Sequence, residues 1–222
     1  MSHTAITQTW PTVLFDVDGT LVASGELIME CFQAALVEIG RDPLTDDQIT
    51  HVVGPPLGYS FSHFAQIEPE LMDEAIRVYR ALYLPRFLEP PMYPGIPELV
   101  AELAEAGVRL GTATSKMETM AQAQLEYLGL APYFDVIAGA SPDPASTKSH
   151  VVADALSRLG AVGADLDRPV LVGDRHHDVE GATDNNIAVI GAGWGYGSPE
   201  EFTAPAVVAV AAQVADLRDL LL

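Results

Sequence analysis

The sequence predicts an α/β fold: a doubly wound, mainly parallel sheet with an all-helical segment inserted after its first strand. Two observations carry this. From about Pro97 onward, near-continuous apolar runs alternate with helical patterns, as strands covered on both faces do. Before that, from about residue 23 to residue 90, amphipathic helical spacing takes over. The expected division is a core of residues 1–22 and 94–222 and a helical insert of residues 23–93, with linkers near Val22–Gly25 and Tyr93–Gly95.

The elements follow in order. Val13-Leu14-Phe15 opens a strand over about residues 12–17. "GELIMECFQAALVEIG" has apolar residues at helical spacing and stops at Gly40. "TDDQITHVV" reads as a shorter helix that ends in "GPP", and "PELMDEAIRVYRALYLPRF" as a long amphipathic one. Pro90-Pro91 and Tyr93-Pro94-Gly95 then break the chain. Strands are expected at 108–114, 134–139, 169–174 and 187–192, with helices near 97–106, 116–129, 148–160 and 177–184. A last strand and helix close the chain at about 206–222. Ser198, Pro199 and Glu201 have the spacing of a capping box and are read as structural, and Trp194 and Tyr196 as packing at a strand end.

Composition limits the function. The 222 residues suffice for one large or two small domains, and 49% hydrophobic content is that of a globular chain. A net charge of −20 argues against nucleic-acid polymers and anionic membranes, which need a basic face. The one cysteine, Cys31, allows no intramolecular disulfide and is expected as core filler in a reducing compartment. "MSHTAITQTWPT" lacks the basic start and apolar run of a leader, and no segment reaches the roughly 20 apolar residues of a membrane span. A cytoplasmic monomer or homodimer is the expectation.

In open parallel sheets ligands bind beyond the carboxyl ends of the strands. Three polar clusters fall there: Asp16 to Thr20, Thr114-Ser115-Lys116, and Asp174 to Asp178. Asp16 and Asp18, two residues apart on a strand, should lie on one side and repel. Asp16, Asp174 and Asp178 suit a hard divalent cation such as Mg²⁺, which would relieve that crowding and supply positive charge in an acidic protein. The chain has only two lysines, Lys116 and Lys148. Lys148 is read as a point charge for a bound phosphate; Lys116 is left open between site and surface. The Thr114 hydroxyl and backbone N–H groups beyond Asp16 would donate to phosphate oxygens. A carboxylate can serve as nucleophile in phosphoryl transfer.

Together, "FDVDGTL" at 15–21, a strand ending in Thr114-Ser115, Lys148 opening a helix, and "VGDRHHD" at 172–178 resemble the four motifs of the haloacid dehalogenase superfamily, in that family's order and over nearly the whole chain. The helical insert resembles the family's C1 cap domain. "GPPLGYSF" at 54–61, "GDRHHDVEGA" at 173–182 and "GAGWGYGSPEE" at 191–201 resemble its phosphoglycolate phosphatase-like and bacterial 5′-nucleotidase branch. The resemblance implies Asp16 as nucleophile and metal ligand, and Asp18 as general acid/base that offers its backbone carbonyl to Mg²⁺. It implies Thr114, Ser115, Gly19 and Lys148 around the phosphoryl group and Asp174 as metal ligand. Asp178 would ligate the metal, directly or through water, or orient Lys148. A second aspartate is absent from the family's dehalogenases, so its presence favours phosphate chemistry. The lack of lysine between Thr20 and Pro94 argues against its phosphonate-cleaving branch. Ala23 departs from relatives that often carry an acidic residue there.

The implied reaction is Mg²⁺-dependent hydrolysis of a small phosphorylated metabolite, a nucleoside monophosphate or a phosphoglycolate-like ester. A sugar phosphomutase on the same core is an alternative. A non-enzymatic phospho-acceptor switch is another, disfavoured because receiver domains carry their acidic pair first and no insert. In the cap, Gly54, Pro55, Pro56 and Arg80 are candidates for substrate specificity, with "GPPLGYS" otherwise an ordinary helix–helix loop and Arg77, Arg80 and His63 otherwise solvated. His176 and His177 read as a solvated turn, and Arg175 as pairing with a nearby carboxylate.

Overall fold

The computed structural model describes residues 10–141, 143 and 146–222. Most of the amino-terminal stretch read for a leader, and three positions of the loop before Ser146, lie outside the described residues. Among the described residues, six strands form one parallel sheet: β1 (Thr12–Phe15), β2 (Arg109–Met117), β3 (Val136–Ala140), β4 (Pro169–Gly173), β5 (Ala188–Ala192) and β6 (Val207–Ala211). Their order is β3-β2-β1-β4-β5-β6. This is the doubly wound order, and its reversal point lies between β1 and β4. Phe15 is in register with Thr112 of β2 and Val172 of β4, so the chain leaves β1 between the strands that lead to Thr114 and Asp174.

Alternation along β1 sorts its side chains onto two faces. Val13 and Phe15 join one apolar cluster with Leu99, Leu103 and Leu217; Leu14 joins another with Val152, Leu171 and Val179. The first face is covered by α5 (Ile96–Glu105), α6 (Glu118–Tyr127) and α9 (Val214–Leu221), the second by α7 (Lys148–Ala161) and α8 (His176–Asp184). Burial on both faces explains why these strands read as unbroken apolar runs.

Between β1 and α5 the chain is helical: α1 (Gly25–Glu38), α2 (Asp46–Ile49) with a 3-10 turn at Thr50–Val52, α3 (Leu57–His63) and α4 (Pro69–Tyr83). These helices have a separate apolar cluster, centred on Phe32, Phe61 and Tyr79, with the Phe32 and Phe61 rings stacked 4.3 Å apart. Cys31 is buried in it. The chain enters and leaves this layer along paired strands of backbone: Ala23 N–H donates to the Pro91 carbonyl at 2.9 Å and Tyr93 N–H to the Leu21 carbonyl at 3.1 Å.

One element departs from the sequence reading. Only Gly54-Pro55-Pro56 of "GPPLGYS" is loop; α3 begins at Leu57. Pro56, in extended conformation, starts the helix, and Leu57 and Phe61, one turn apart, turn it onto the apolar cluster.

Phe32→Ala would remove a stacked, fully buried ring, and should cost about 3–5 kcal/mol in denaturant unfolding. Val37→Ala on the exposed side of the same helix should stay within about 0.5 kcal/mol of wild type.

Candidate active site

The carboxyl ends of β1, β2 and β4 meet at the reversal point, and the polar clusters meet with them. A carboxylate oxygen of each of Asp16, Asp174 and Asp178 lies within 4.8 Å of the others, and all three side chains are buried. Asp16 follows β1 directly and its N–H still donates to Val172 of β4 at 2.9 Å. Asp174 follows β4. Its Oδ2 accepts the Tyr196 N–H at 2.8 Å, and its Oδ1 the Thr20 hydroxyl at 3.4 Å. Gly19, with φ +83°, lets the turn after β1 lie on Asp174; a Cβ there would sit 2.3 Å from Asp174 Oδ2. Asp178 is in the first turn of α8 and accepts the Arg175 N–H at 3.0 Å, an acidic cap of that helix.

Lys148 is the cation of this cluster. Its Nζ lies 2.9 Å from Asp16 Oδ1 and 2.6 Å from Asp178 Oδ1, so it both neutralises the first aspartate and pairs with the last. It opens α7 just after the cap residue Thr147, where the helix dipole disfavours a cation. The two carboxylates, not the helix, hold it there. Burial lowers the ammonium's proton affinity, but the charges of Asp16 and Asp178 outweigh it and keep the group protonated. One ammonium does not balance three carboxylates. Burial pushes Asp16 up to about 6 against the pull of Lys148, with Asp178 adding to the rise. Burial, then Asp178 and Asp16, push Asp174 well above the usual carboxylate range.

The residues fit a hard divalent cation. The donor set is all oxygen, and Asp16 Oδ1 and Asp178 Oδ1 are buried without an aligned hydrogen-bond donor among the described residues. His176, His177 and Glu180 also offer atoms within 4.8 Å of one another, but Glu201 Oε2 already faces His176 Nδ1 at 2.9 Å and Glu180 is exposed.

Asp18 stands apart from the three. Its carboxylate meets Lys116 Nζ at 2.9 Å and accepts the Ser24 hydroxyl, both at Oδ1. Lys116 also donates to the Tyr83 hydroxyl and to Gln124 Oε1, each at 2.9 Å. Among the charges that act on Asp16, Asp178 outweighs Asp18, so the crowding expected of the pair falls mainly on Asp178 instead. Thr114 is buried and accepts the Lys116 N–H at 3.2 Å, which leaves its hydroxyl proton to donate; Ser115 beside it is half-buried.

Around the site, Arg175 is fully buried and joins two parts of the chain. Its Nε donates to Glu201 at 3.2 Å and its Nη1 to the Val53 carbonyl of the helical layer. Gly54, φ +102°, passes over it; a Cβ would sit 2.9 Å from Arg175 Cγ. Pro55 is buried beside this contact and Pro56 is exposed. Arg80 stands exposed on α4 and forms no ion pair among the described residues, whereas Tyr83, one turn on, is buried and reaches Lys116. Of these two residues it is Tyr83, and not Arg80, that touches the residues around Asp18. His63 is exposed and stacks on Tyr59, whose ring meets His177 edge-on at 5.9 Å.

The family described as haloacid dehalogenase-like hydrolase matches residues 13–192. The chain belongs to that family. Among its relatives is the tyrosine-protein kinase PtkA of Mycobacterium tuberculosis, 41% identical over 94% of this chain and 72% of that one. A 5′-nucleotidase of Pseudomonas aeruginosa is 32% identical over 96% of both chains. A solved structure from Clostridium acetobutylicum, described as a "predicted phosphatase", superposes with a TM-score of 0.86 at 33% identity over 95% of this chain and 97% of that one. The protein is thus a haloacid dehalogenase-like hydrolase with phosphatases among its relatives, and the sheet is that family's. No helix among the described residues is long and apolar enough to cross a membrane.

Sequence reasoning missed Ser24 and Tyr83 as neighbours of Asp18, and left Lys116 undecided. The scarcity of lysine was the available signal: both lysines of the chain sit on aspartates of the first motif. The capping box at Ser198 and Glu201 forms as expected, yet Glu201 also accepts from Arg175 and from the His176 N–H at 2.7 Å.

In metal-free buffer Asp16→Asn should unfold at or above the wild-type midpoint, gaining on the order of 1–2 kcal/mol from the lost like charge. Mg²⁺ should stabilise the wild type, by about 2.7 kcal/mol at a hundredfold excess over Kd, and should do so far less for Asp174→Asn; thermal melts with and without EDTA read both.

Proposed function

We propose that the protein is an Mg²⁺-dependent phosphatase that hydrolyses a small phosphomonoester through a phosphoaspartate at Asp16. The observation that carries this is the pairing of each motif aspartate with its own buried lysine: Lys148 with Asp16 and Lys116 with Asp18. Two carboxylates given separate partners have separate tasks. The helical layer of residues 23–93 acts as a cap whose contacts with the core, through Val53, Tyr83 and the Phe87 carbonyl, enclose the site.

Asp16, ionised against Lys148, attacks phosphorus; Thr114 and Lys148 hold the phosphoryl oxygens. Asp18 gives its proton to the leaving alcohol, then takes one from the water that attacks the phosphoaspartate and frees Asp16. Asp16, Asp174, Asp178 and the Asp18 carbonyl would hold Mg²⁺, which would supply charge neutralisation at the phosphoryl oxygens. Enclosure by the cap keeps water from competing before the phosphoaspartate forms. A nucleoside monophosphate is the first substrate choice, supported by the 5′-nucleotidase likeness over nearly the full length of both chains, and a phosphoglycolate-like ester the second.

A second reading has one observation behind it, the kinase name of a 41% identical relative. The same phosphoaspartate, charged from ATP with release of ADP, could pass its phosphoryl group to a tyrosine hydroxyl, with Asp18 accepting the phenol proton.

A phosphate-release assay over nucleoside monophosphates, phosphoglycolate and sugar phosphates, run beside ATP with a tyrosine peptide, separates these readings. Turnover of a monoester, abolished by EDTA and lowered at least about 10³-fold by Asp16→Asn, is the expected result. Activity that survives either treatment refutes the mechanism. Phosphotyrosine formation without ester hydrolysis favours the transferase, and interconversion of sugar phosphates without phosphate release favours a mutase.

A further inference from the structure

Lys116 is buried, and the mechanism above uses it only as a neighbour of Asp18. We propose that Lys116 is a positioning residue: it fixes the Asp18 carboxylate for proton transfer, and Tyr83 of the cap completes its seat. This rests on the phosphatase reading.

Three observations point the same way. The first is the partner set. Lys116 Nζ has three acceptors, each at 2.9 Å: Asp18 Oδ1 and Gln124 Oε1 from the core and the Tyr83 hydroxyl from α4. An ammonium donates three hydrogen bonds, so the set is complete. The side chain is 4% exposed and cannot be serving solubility.

The second is how the backbone brings it there. Between Thr114 and Met117, β2 advances three residues while its neighbour β3 advances one, from Gly139 to Ala140. The two extra residues are Ser115 and Lys116. Irregularities of this kind re-aim side chains next to active sites. A buried ion pair is seldom the most stabilising way to fill a core, so a distorted strand that delivers an ammonium is poorly explained by stability alone.

The third is the geometry at Asp18. Lys116 and the Ser24 hydroxyl both engage Oδ1. The carboxylate is thereby held by one oxygen, and Oδ2 is the oxygen that gives and takes the proton. Ser24 lies where the chain enters the cap, and Tyr83 lies at the end of the cap's longest helix. Gln124, which fixes Lys116 from the core side, also donates from Nε2 to the Phe87 carbonyl at 2.8 Å. Burial, then the negative charge of Asp18, keep the Tyr83 phenol protonated, so it remains a neutral partner. If the cap moved away as a body, Lys116 would lose one of its three acceptors and the seat of Asp18 would loosen. Acid/base function is then tied to closure by one hydroxyl.

In the half-reaction that forms the phosphoaspartate, alkyl and aryl esters need Asp18 unequally. As Asp16 forms its bond to phosphorus, the bond to the leaving oxygen breaks and that oxygen takes the electron pair. An alkoxide needs the Asp18 proton at once, whereas p-nitrophenolate leaves without one. Loss of a residue that merely supports the fold lowers both rates together. Loss of a residue that positions Asp18 slows phosphoaspartate formation from alkyl esters selectively, and slows the later hydrolysis alike for both.

The test uses the 222-residue chain with Mg²⁺, 5′-AMP, β-glycerol phosphate and p-nitrophenyl phosphate, and measures by rapid mixing the first-turnover rate of alcohol or p-nitrophenolate release at saturating ester for wild type, Lys116→Met, Tyr83→Phe, Asp18→Asn and Lys116→Met with Asp18→Asn. Lys116→Met should lower the first-turnover release rate on the better alkyl ester about 100-fold, with first-turnover release of p-nitrophenolate changed less than about 3-fold. Tyr83→Phe, which keeps the ring and the fold, should show the same selectivity with a loss of about 3–10-fold. Added to Asp18→Asn, the lysine change should cost almost nothing more on alkyl esters, because the two act as one unit. Equal losses of first-turnover release on aryl and alkyl esters, or additive losses in the double variant, overturn the proposal while leaving the phosphatase reading intact. A wild type that turns over no ester overturns both.

Discussion

Three buried carboxylates share one ammonium at the carboxyl edge of the sheet, and most of the surrounding structure follows from that imbalance. Like charges a few ångströms apart in a medium less polar than water repel by several kcal/mol, even at an effective dielectric of about 20. Lys148 answers part of it, at 2.9 Å from Asp16 and 2.6 Å from Asp178. Backbone N–H groups answer more: those of Arg175 on Asp178 and of Tyr196 on Asp174. What is left is an electrostatic debt that an all-oxygen cation site would cancel, which is why the shortfall reads as the mark of a binding site rather than a defect of folding.

The aspartates of "FDVDGT" resolve their own conflict by separation. β1 ends at Phe15, and the turn that Gly19 permits carries Asp18 away from the cluster toward Ser24 and Lys116. Asp16 keeps company with carboxylates and Lys148; Asp18 with one ammonium and one hydroxyl. In a chain of net charge −20 with two lysines, both are spent on this pair. The nine arginines serve elsewhere, and the one that is buried nearby, Arg175, binds Glu201 and a backbone carbonyl rather than the reacting groups. A compact ammonium fits between two carboxylate oxygens where a planar guanidinium would demand more room.

The α/β core was legible because both faces of the sheet are buried. Strand after strand was written as an uninterrupted apolar run, and the first polar residues after β1, β2 and β4 marked the edge where chemistry collects. The helical layer was less legible. α3 was hidden because Pro55, Pro56 and Gly58 carry the composition of a loop, and only packing of Phe61 against Phe32 makes the segment a helix. Arg80 attracted notice as a cation on the long amphipathic helix, but burial on α4 is decided by which residues meet the apolar cluster, and those are Tyr79 and Tyr83. Lys116 could not be decided from sequence because its partners lie 33 and 8 residues away along the chain and almost a hundred residues back at Asp18. Glu201 was recognised by its local capping geometry, while its bonds to Arg175 and His176 bridge 26 and 25 residues and left no local trace.

The way the helical layer is attached has a consequence for how such a protein can change. Two of the core's long side chains that reach it, Arg175 and Gln124, take hold of backbone carbonyls, at Val53 and Phe87. A carbonyl is present whatever residue occupies the position, so these anchors constrain the course of the cap's backbone and leave its side chains free to vary. The linkers repeat the pattern, since Ala23 to Pro91 and Tyr93 to Leu21 are also backbone bonds. Tyr83 is different. It offers a side-chain hydroxyl, and it offers it to the lysine that holds Asp18. On the proposed function, substrate preference can therefore drift through exposed cap residues without loosening the dock, while the contact that reaches the proposed acid/base depends on a particular side chain. On that reading, an attachment made mostly of backbone bonds separates what the cap recognises from what it enables.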